Sequence, residues 1–249
     1  MAEEVRIIFV CFFLSIVLLS FAWTFFKKKR LMENTPTSKI RSLAMGFVEI
    51  KGKAKPFENM SFIGPVSQIP CVYYQYLVEE YRRRGKSSRW VKLHEGDCGY
   101  SFFLEDETGK VMINPVKCKI DVTGIKTYQK GLFTKDPEHI ENFYKENFIP
   151  VKSRFFGKRK LRLTERRIEL DDELYILGNA CKNEYYQENT RNEAGIVIKK
   201  SWKVPFQISD KSEKDLTDTY STWAILSLIG GVVLLTGFVA MLLNAMNII

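Results

Sequence analysis

The sequence is short of the residues that build most catalytic and metal centres. It holds two histidines, His94 and His139, in 249 residues. Its five cysteines, Cys11, Cys71, Cys98, Cys118 and Cys181, contain no Cys-x-x-Cys pair. His94, Cys98, Cys118 and either Cys71 or Cys181 are ligand types that zinc accepts, but they lack the paired spacing of zinc sites. The expectation is therefore no metal, and cysteines that are reduced and packed as small hydrophobes rather than a disulfide framework. Gly85-Lys86-Ser87-Ser88 lacks the upstream glycine and the following helix of a phosphate loop, which excludes that mode of nucleotide binding. Glu105-Asp106-Glu107 lacks EF-hand spacing and reads as a solvated turn. No internal repeat is visible, which excludes a solenoid. No catalytic residue and no cofactor are assigned.

What is present begins with two apolar runs. Ile7 to Phe26 is 20 residues without a charge, enough for a helix to cross about 30 Å of hydrocarbon. Lys27, Lys28, Lys29 and Arg30 follow at once, a basic block suited to anchoring at lipid head groups. The length of the run, the non-basic start and the missing small-residue cleavage site argue against a signal peptide. Trp223 to Leu243 is a second uncharged run, of 21 residues, with Tyr220 and Trp223 placed as an aromatic belt. Gly230, Gly231 and Gly237 permit close helix approach, although their spacing is not GxxxG.

The predicted order is a tail (1–6), a membrane span (7–26), a basic flank and linker (27–40), a β-rich domain (41–208), a linker (209–221) and a second span (222–246). Without Arg6, Glu3 and Glu4 the middle carries 37 basic and 27 acidic residues, a charge of +10. That excess favours anionic surfaces, lipid head groups before nucleic acid. The densest cationic stretch is Arg82, Arg83, Arg84, Lys86 and Arg89, the predicted anionic-surface site. A second basic block is Gly157 to Lys160 with Arg162.

Within the middle, Ile40 to Lys51 alternates as a strand, with Ala44, Gly46, Val48 and Ile50 on one face. Ile69 to Tyr81 is rich in aromatic and β-branched residues after a proline. Trp90 to Glu95 is its predicted partner, across a polar connection. Two more strands flank the Glu107-Thr108-Gly109 turn, where Gly109 is expected at positive φ. These four form a meander on which the rest packs. Tyr74, Tyr76 and Val78 share its buried face. Cys118, Ile120 and Val122 share one face of a further strand, Lys117 to Val122. His94 is expected on an exposed face beside Lys92. Asp136 as N-cap and Pro137 open a helix to Asn147, with Ile140, Phe143, Tyr144 and Phe148 on its apolar face. Leu161 to Leu170 and Leu174 to Leu177 are strands around an Asp171-Asp172 turn, the second ended by Gly178. A tyrosine-bearing strand near Tyr185 and a polar loop from Asn189 to Gly195 precede Ile196 to Ile198. The fold class is α+β: a β-rich, partly closed barrel between two transmembrane helices.

Pro70-Cys71-Val72-Tyr73-Tyr74, Glu79-Glu80-Tyr81, the Arg84-Gly85-Lys86-Ser87-Ser88-Arg89-Trp90 segment, Phe103-Leu104-Glu105-Asp106, Thr164-Glu165 and Leu174 to Gly178 carry a resemblance. The stretch from Arg41 to Gln207 resembles the GIDE domain of MULAN-type membrane-anchored E3 ubiquitin ligases. The resemblance implies a domain between two spans, followed by a zinc-binding RING that recruits the charged conjugating enzyme. No cysteine or histidine follows Trp223 in this sequence, so ligase residues are not carried over. The expected function is a membrane-anchored binding or scaffold protein that recognises a partner protein or anionic lipid. The alternative is an E3 ubiquitin ligase-related protein.

Basic residues lie on the inner side of both spans, with Lys211 and Lys214 preceding the second and none after it. The positive-inside rule then places the domain in the cytoplasm and both ends outside, as in a prokaryotic plasma membrane. The resemblance implies the reverse in a eukaryote: the mitochondrial outer membrane, with the domain in the intermembrane space.

Overall fold

The apolar runs and the alternating strands of the sequence separate into two units, a terminal helix pair and a β-rich domain spanning 37–211. The structure is a computed structural model, which describes residues 2–129, 135–151, 159–183, 195–202, 204–211 and 213–245. Its helices are α1 (Ala2–Glu33), α2 (Glu138–Glu146) and α3 (Glu213–Ala245).

Ile8–Glu33 and Lys214–Asn244 are long and apolar enough to cross a bilayer. They run antiparallel: Phe12 meets Phe238 with ring centroids 4.9 Å apart, and Phe25 meets Tyr220 at 6.3 Å. A Cβ on Gly231 would come within 2.9 Å of the Leu19 side chain, and one on Gly230 within 3.3 Å of Leu18. Both glycines thus serve contact within this chain, whereas a Cβ on Gly237 would meet nothing. The basic block does not end α1. Lys27 lies over the Trp23 ring, and Lys29 reaches Ser221 at 3.2 Å and Glu33 at 3.6 Å, so Leu31–Glu33 stay helical where linker composition predicts coil.

The strands of the domain are β1 (Thr37–Ser38), β2 (Gly46–Lys55), β3 (Phe62–Ile63), β4 (Pro70–Arg84), β5 (Ser87–Asp97), β6 (Phe102–Asp106) and β7 (Gly109–Ile113). They continue with β8 (Lys119–Asp121), β9 (Ile125–Gln129), β10 (Leu161–Glu169), β11 (Glu173–Lys182), β12 (Ile196–Lys199) and β13 (Gln207–Ser209). Strands β2, β6, β7, β12 and β11 pair in that order, and β11 pairs back onto β2, which closes a five-stranded barrel. The inward alternation of each strand fills it with fully buried Ile50, Phe102, Leu104, Ile113, Ile176 and Ile198. The second sheet is centred on β4, with β10 and then β9 on one side and β5 and β3 on the other. One face of it carries Tyr76, Val78, Leu161 and Leu163 against Ile140, Phe143 and Tyr144 of α2. At its root, Val72, Tyr73 and Ile168 join the barrel core.

The fold is thus the expected β-rich α+β class, and its barrel, expected to be partly closed, is closed by β11 on β2. Several local expectations are corrected. The meander is divided between the sheets: β4 and β5 lie in one, β6 and β7 in the other, with Gly99 at φ +76° between them. Ile40–Ser42 is a single helical turn, and the strand begins only at Gly46. β5 begins at Ser87, because Gly85 at φ +61° allows a two-residue hairpin turn. Gly109 has no positive φ: Asp106 closes its turn instead, accepting from the N–H groups of Thr108 (2.7 Å) and Gly109 (3.0 Å). Pro137, not Asp136, caps α2, and Asp136 accepts the Tyr128 hydroxyl at 2.9 Å. Phe148 leaves the apolar face; it sits beyond the helix at φ +53° and is 92% exposed. The further strand shortens to Lys119–Asp121, with Cys118 outside it. Gly178 does not end β11. A Cβ there would lie 2.4 Å from Ile198, so glycine permits close packing mid-strand. The expected strand near Tyr185 and most of the Asn189–Gly195 loop lie outside the described residues.

Candidate functional site: a cationic and aromatic hairpin

Side chains alternate along β4 and β5, so Tyr81 and its cross-strand neighbour Trp90 face the side of the sheet away from α2. Their rings meet edge-on with centroids 5.3 Å apart, and the Tyr81 hydroxyl donates to Ser88 at 2.6 Å. From β10 the Arg162 guanidinium lies 4.4 Å from the Trp90 centroid, and just before that strand Lys160 lies 4.8 Å from Tyr81. Arg162 also pairs with Glu79 at 2.6 Å. Two arginines, Arg82 at 2.6 Å and Arg159 at 3.0 Å, converge on Glu80. These contacts stiffen the hairpin stem and hold indole, phenol and cations in one array.

Of the predicted anionic-surface residues, Arg82 is engaged by Glu80, whereas exposed Arg83, Lys86 and Arg89 have no ion pair among the described residues. The Arg84 side chain lies outside the described residues. Four predicted cations therefore meet at one hairpin tip. In the second block Lys160 and Arg162 join the aromatic array and Arg159 pairs with Glu80 on the α2 side, while Gly157 and Lys158 lie outside the described residues. Toward the barrel, the same sheet face continues into a cleft of about 440 Å³ lined by Gln75, Leu77, Glu95, Asp97 and Arg166, with Lys117 opposite.

His94 is not on the exposed face beside Lys92: a bulge between those two residues turns it to the α2 side. There it stacks on Tyr76 at 5.7 Å, and its Nδ1 lies 3.3 Å from the Tyr76 hydroxyl. Cys71 is fully buried, and burial pushes its thiol up to about 12. Burial likewise pushes Cys118 up to about 12 and raises Cys98. Such thiols are poor nucleophiles. Among the described residues no three His, Cys, Asp or Glu side chains gather as a metal site.

Sequence reasoning missed two buried acids. Glu49 accepts from the hydroxyls of Tyr175 at 2.7 Å and Thr37 at 2.6 Å. Glu165 clamps the loop before β4 through the N–H groups of Val66 (2.6 Å) and Ser67 (3.0 Å) and the Ser67 hydroxyl (2.6 Å). The signal available was an acid at the centre of a strand, as in Val48-Glu49-Ile50. Both acids organise the scaffold and neither faces the hairpin tip.

No curated protein and no solved structure matches the chain. The model of the GIDE family, described as an E3 ubiquitin ligase, matches residues 73–242, which take in the hairpin, the strands from β5 to β13 and most of α3. With more than half of its length matched, the chain belongs to the GIDE family.

Proposed function

We propose that this chain is a membrane-anchored recognition protein of the ubiquitin-ligation machinery, and that its basic hairpin binds an acidic partner, protein or anionic lipid, at the membrane surface. The observation that carries this reading is the tip itself. Among the described residues Arg83, Lys86 and Arg89 have no counter-ion, and they stand beside a braced Tyr81–Trp90 pair. Each cation near an anionic surface contributes roughly 1 kcal/mol. The full chain in phosphatidylcholine nanodiscs should co-float with phosphatidylserine vesicles, less so as salt rises. Replacing Arg82, Arg83, Arg84, Lys86 and Arg89 with serine should weaken that binding at least tenfold. Equal binding by wild type and variant would sink the proposal.

The basic residues that border both apolar helices support a cytoplasmic domain with both ends outside. Ubiquitin transfer by the chain itself is the second reading, favoured by the family match. Transfer by the chain alone, given activating and conjugating enzymes, would replace the recognition reading.

A further inference from the structure

Among the described residues the outer side of β5 is an open strand edge, and its outward groups can be assigned one by one. The Tyr81 N–H donates to the Lys160 carbonyl at 3.0 Å. Odd-numbered residues here therefore turn their backbone groups toward β10, and Glu80, Arg82 and Arg84 turn theirs toward β5. The partners of those three are Val91, Arg89 and Ser87. The N–H and C=O groups of Ser88, Trp90 and Lys92 consequently point outward, where no strand pairs with β5 among the described residues. Beyond Lys92 the bulge shifts the register, so the usable edge is the basic half of the strand, Ser88 to Lys92, about 17 Å long.

We infer that this edge accepts an extended, acidic segment of a partner protein as an added antiparallel or parallel strand. The inference rests on the hairpin's role in partner recognition proposed above, and adds the mode of binding. Strand addition takes affinity from backbone hydrogen bonds and selectivity from the flanking side chains. Here those flanks are cationic on both faces. Arg89 lies on the α2 side, Lys92 on the other with Trp90, and Arg83 projects beside Ser88. Carboxylates at successive positions of an added strand would meet one face and then the other. A second copy of β5 docked on this edge would instead bring up a strand of the same positive charge, without the carboxylates that pair with it. Lys92 already donates to one carboxylate, Glu95 at 2.8 Å, across the bulge, so the edge holds an example of the chemistry it would recognise.

The test uses the full chain in phosphatidylcholine nanodiscs and an eight-residue glutamate–valine peptide of repeating Glu-Glu-Val-Val, whose carboxylates face both sides of a strand. Three controls accompany it: a lysine–valine peptide, the glutamate–valine peptide N-methylated at alternate residues, and the variant Ser88→Pro. Proline at position 88 removes an outward N–H and leaves the β4–β5 ladder its bonds. The glutamate–valine peptide should slow hydrogen exchange across 87–93. Its affinity should fall at least tenfold on N-methylation and in Ser88→Pro, and the lysine peptide should not bind. Phosphatidylserine vesicle binding by the wild-type chain, measured alongside its affinities for the plain and N-methylated peptides, separates failure of the edge from failure of the basic hairpin. Equal binding of the N-methylated peptide, unchanged exchange across 87–93, or no binding of the glutamate–valine peptide at millimolar concentration would each overturn the inference.

Discussion

Removing the Glu165 carboxylate should unlatch the loop that leads into β4. This side chain is fully buried, with an N–H of Val66 at 2.6 Å, an N–H of Ser67 at 3.0 Å and the Ser67 hydroxyl at 2.6 Å. Arg167 approaches it at 3.5 Å. The loop wraps so closely that a Cβ on Gly64 would fall 2.5 Å from the carboxylate oxygen. Glu165→Ala leaves two part-buried N–H groups without that acceptor and Arg167 with Glu169 alone. Hydrogen bonds to a charged group are worth about 1.5–3 kcal/mol each, and breaking a buried pair costs about 3–5 kcal/mol. Because these terms overlap, the expected loss is about 4–5 kcal/mol, not their sum. Glu165→Gln keeps the shape and one acceptor oxygen but turns an NH₂ toward donors, for a loss of about 2 kcal/mol. Urea unfolding of the domain in neutral detergent, followed by tryptophan fluorescence, reads both as midpoint shifts at constant slope. A loss under about 1 kcal/mol for the alanine variant, or equal losses for the two variants, would refute the clamp.

The Asp106 turn should make the domain acid-sensitive. Partial burial pushes its carboxyl up, but the Thr108 hydroxyl and the N–H groups of Ile40, Thr108 and Gly109 outweigh this and leave it below the usual carboxylate value. A depressed folded value stabilises above the unfolded carboxylate range, about pH 4–5, and the contribution fades as pH falls through the folded value. Thermal midpoints from pH 7 to pH 3 should therefore fall less steeply below pH 4 in Asp106→Asn than in wild type; parallel curves would remove Asp106 from the account. Topology is read by an impermeant maleimide on intact cells. Ala2→Cys should label above the wild-type background and Lys214→Cys should not, and the opposite pattern would place the domain outside.

Periodicity carried the architecture. Two uncharged runs, alternating β-branched strands and the Ile140, Phe143, Tyr144 spacing each depend on residues near in sequence, and each appears in the structure. Pairing between distant strands was not legible. The division of the meander depends on β2 meeting β11, Ile50 opposite Ile176, and nothing local to Ile50 specifies that. Gly178 and Phe148 show the same limit from two sides. Gly178 reads locally as a stop because its tight neighbours, Ile198 and Phe206, come from elsewhere in the chain. Phe148 kept helical spacing but fell past the last turn, where the backbone enters the left-handed region. At the site, the cationic run was visible as composition, while its bracing by Arg159, Lys160 and Arg162 required the β4–β10 register.

Closure of the barrel sets an order of events during synthesis. Its first strand, β2, is complete at Lys55, but β11 and β12 arrive only with Glu173–Lys182 and Ile196–Lys199. Loop closure over such separations makes folding slow compared with local helix formation. The first apolar helix is finished well before the barrel can close, and the second follows soon after β12. At about 5–20 residues per second, the chain spends several seconds or more with β2 awaiting its late partner. Any commitment of the first span to a bilayer is therefore made by a polypeptide whose barrel has not yet formed, and a chain halted before Ile196 leaves β7 and β11 unjoined.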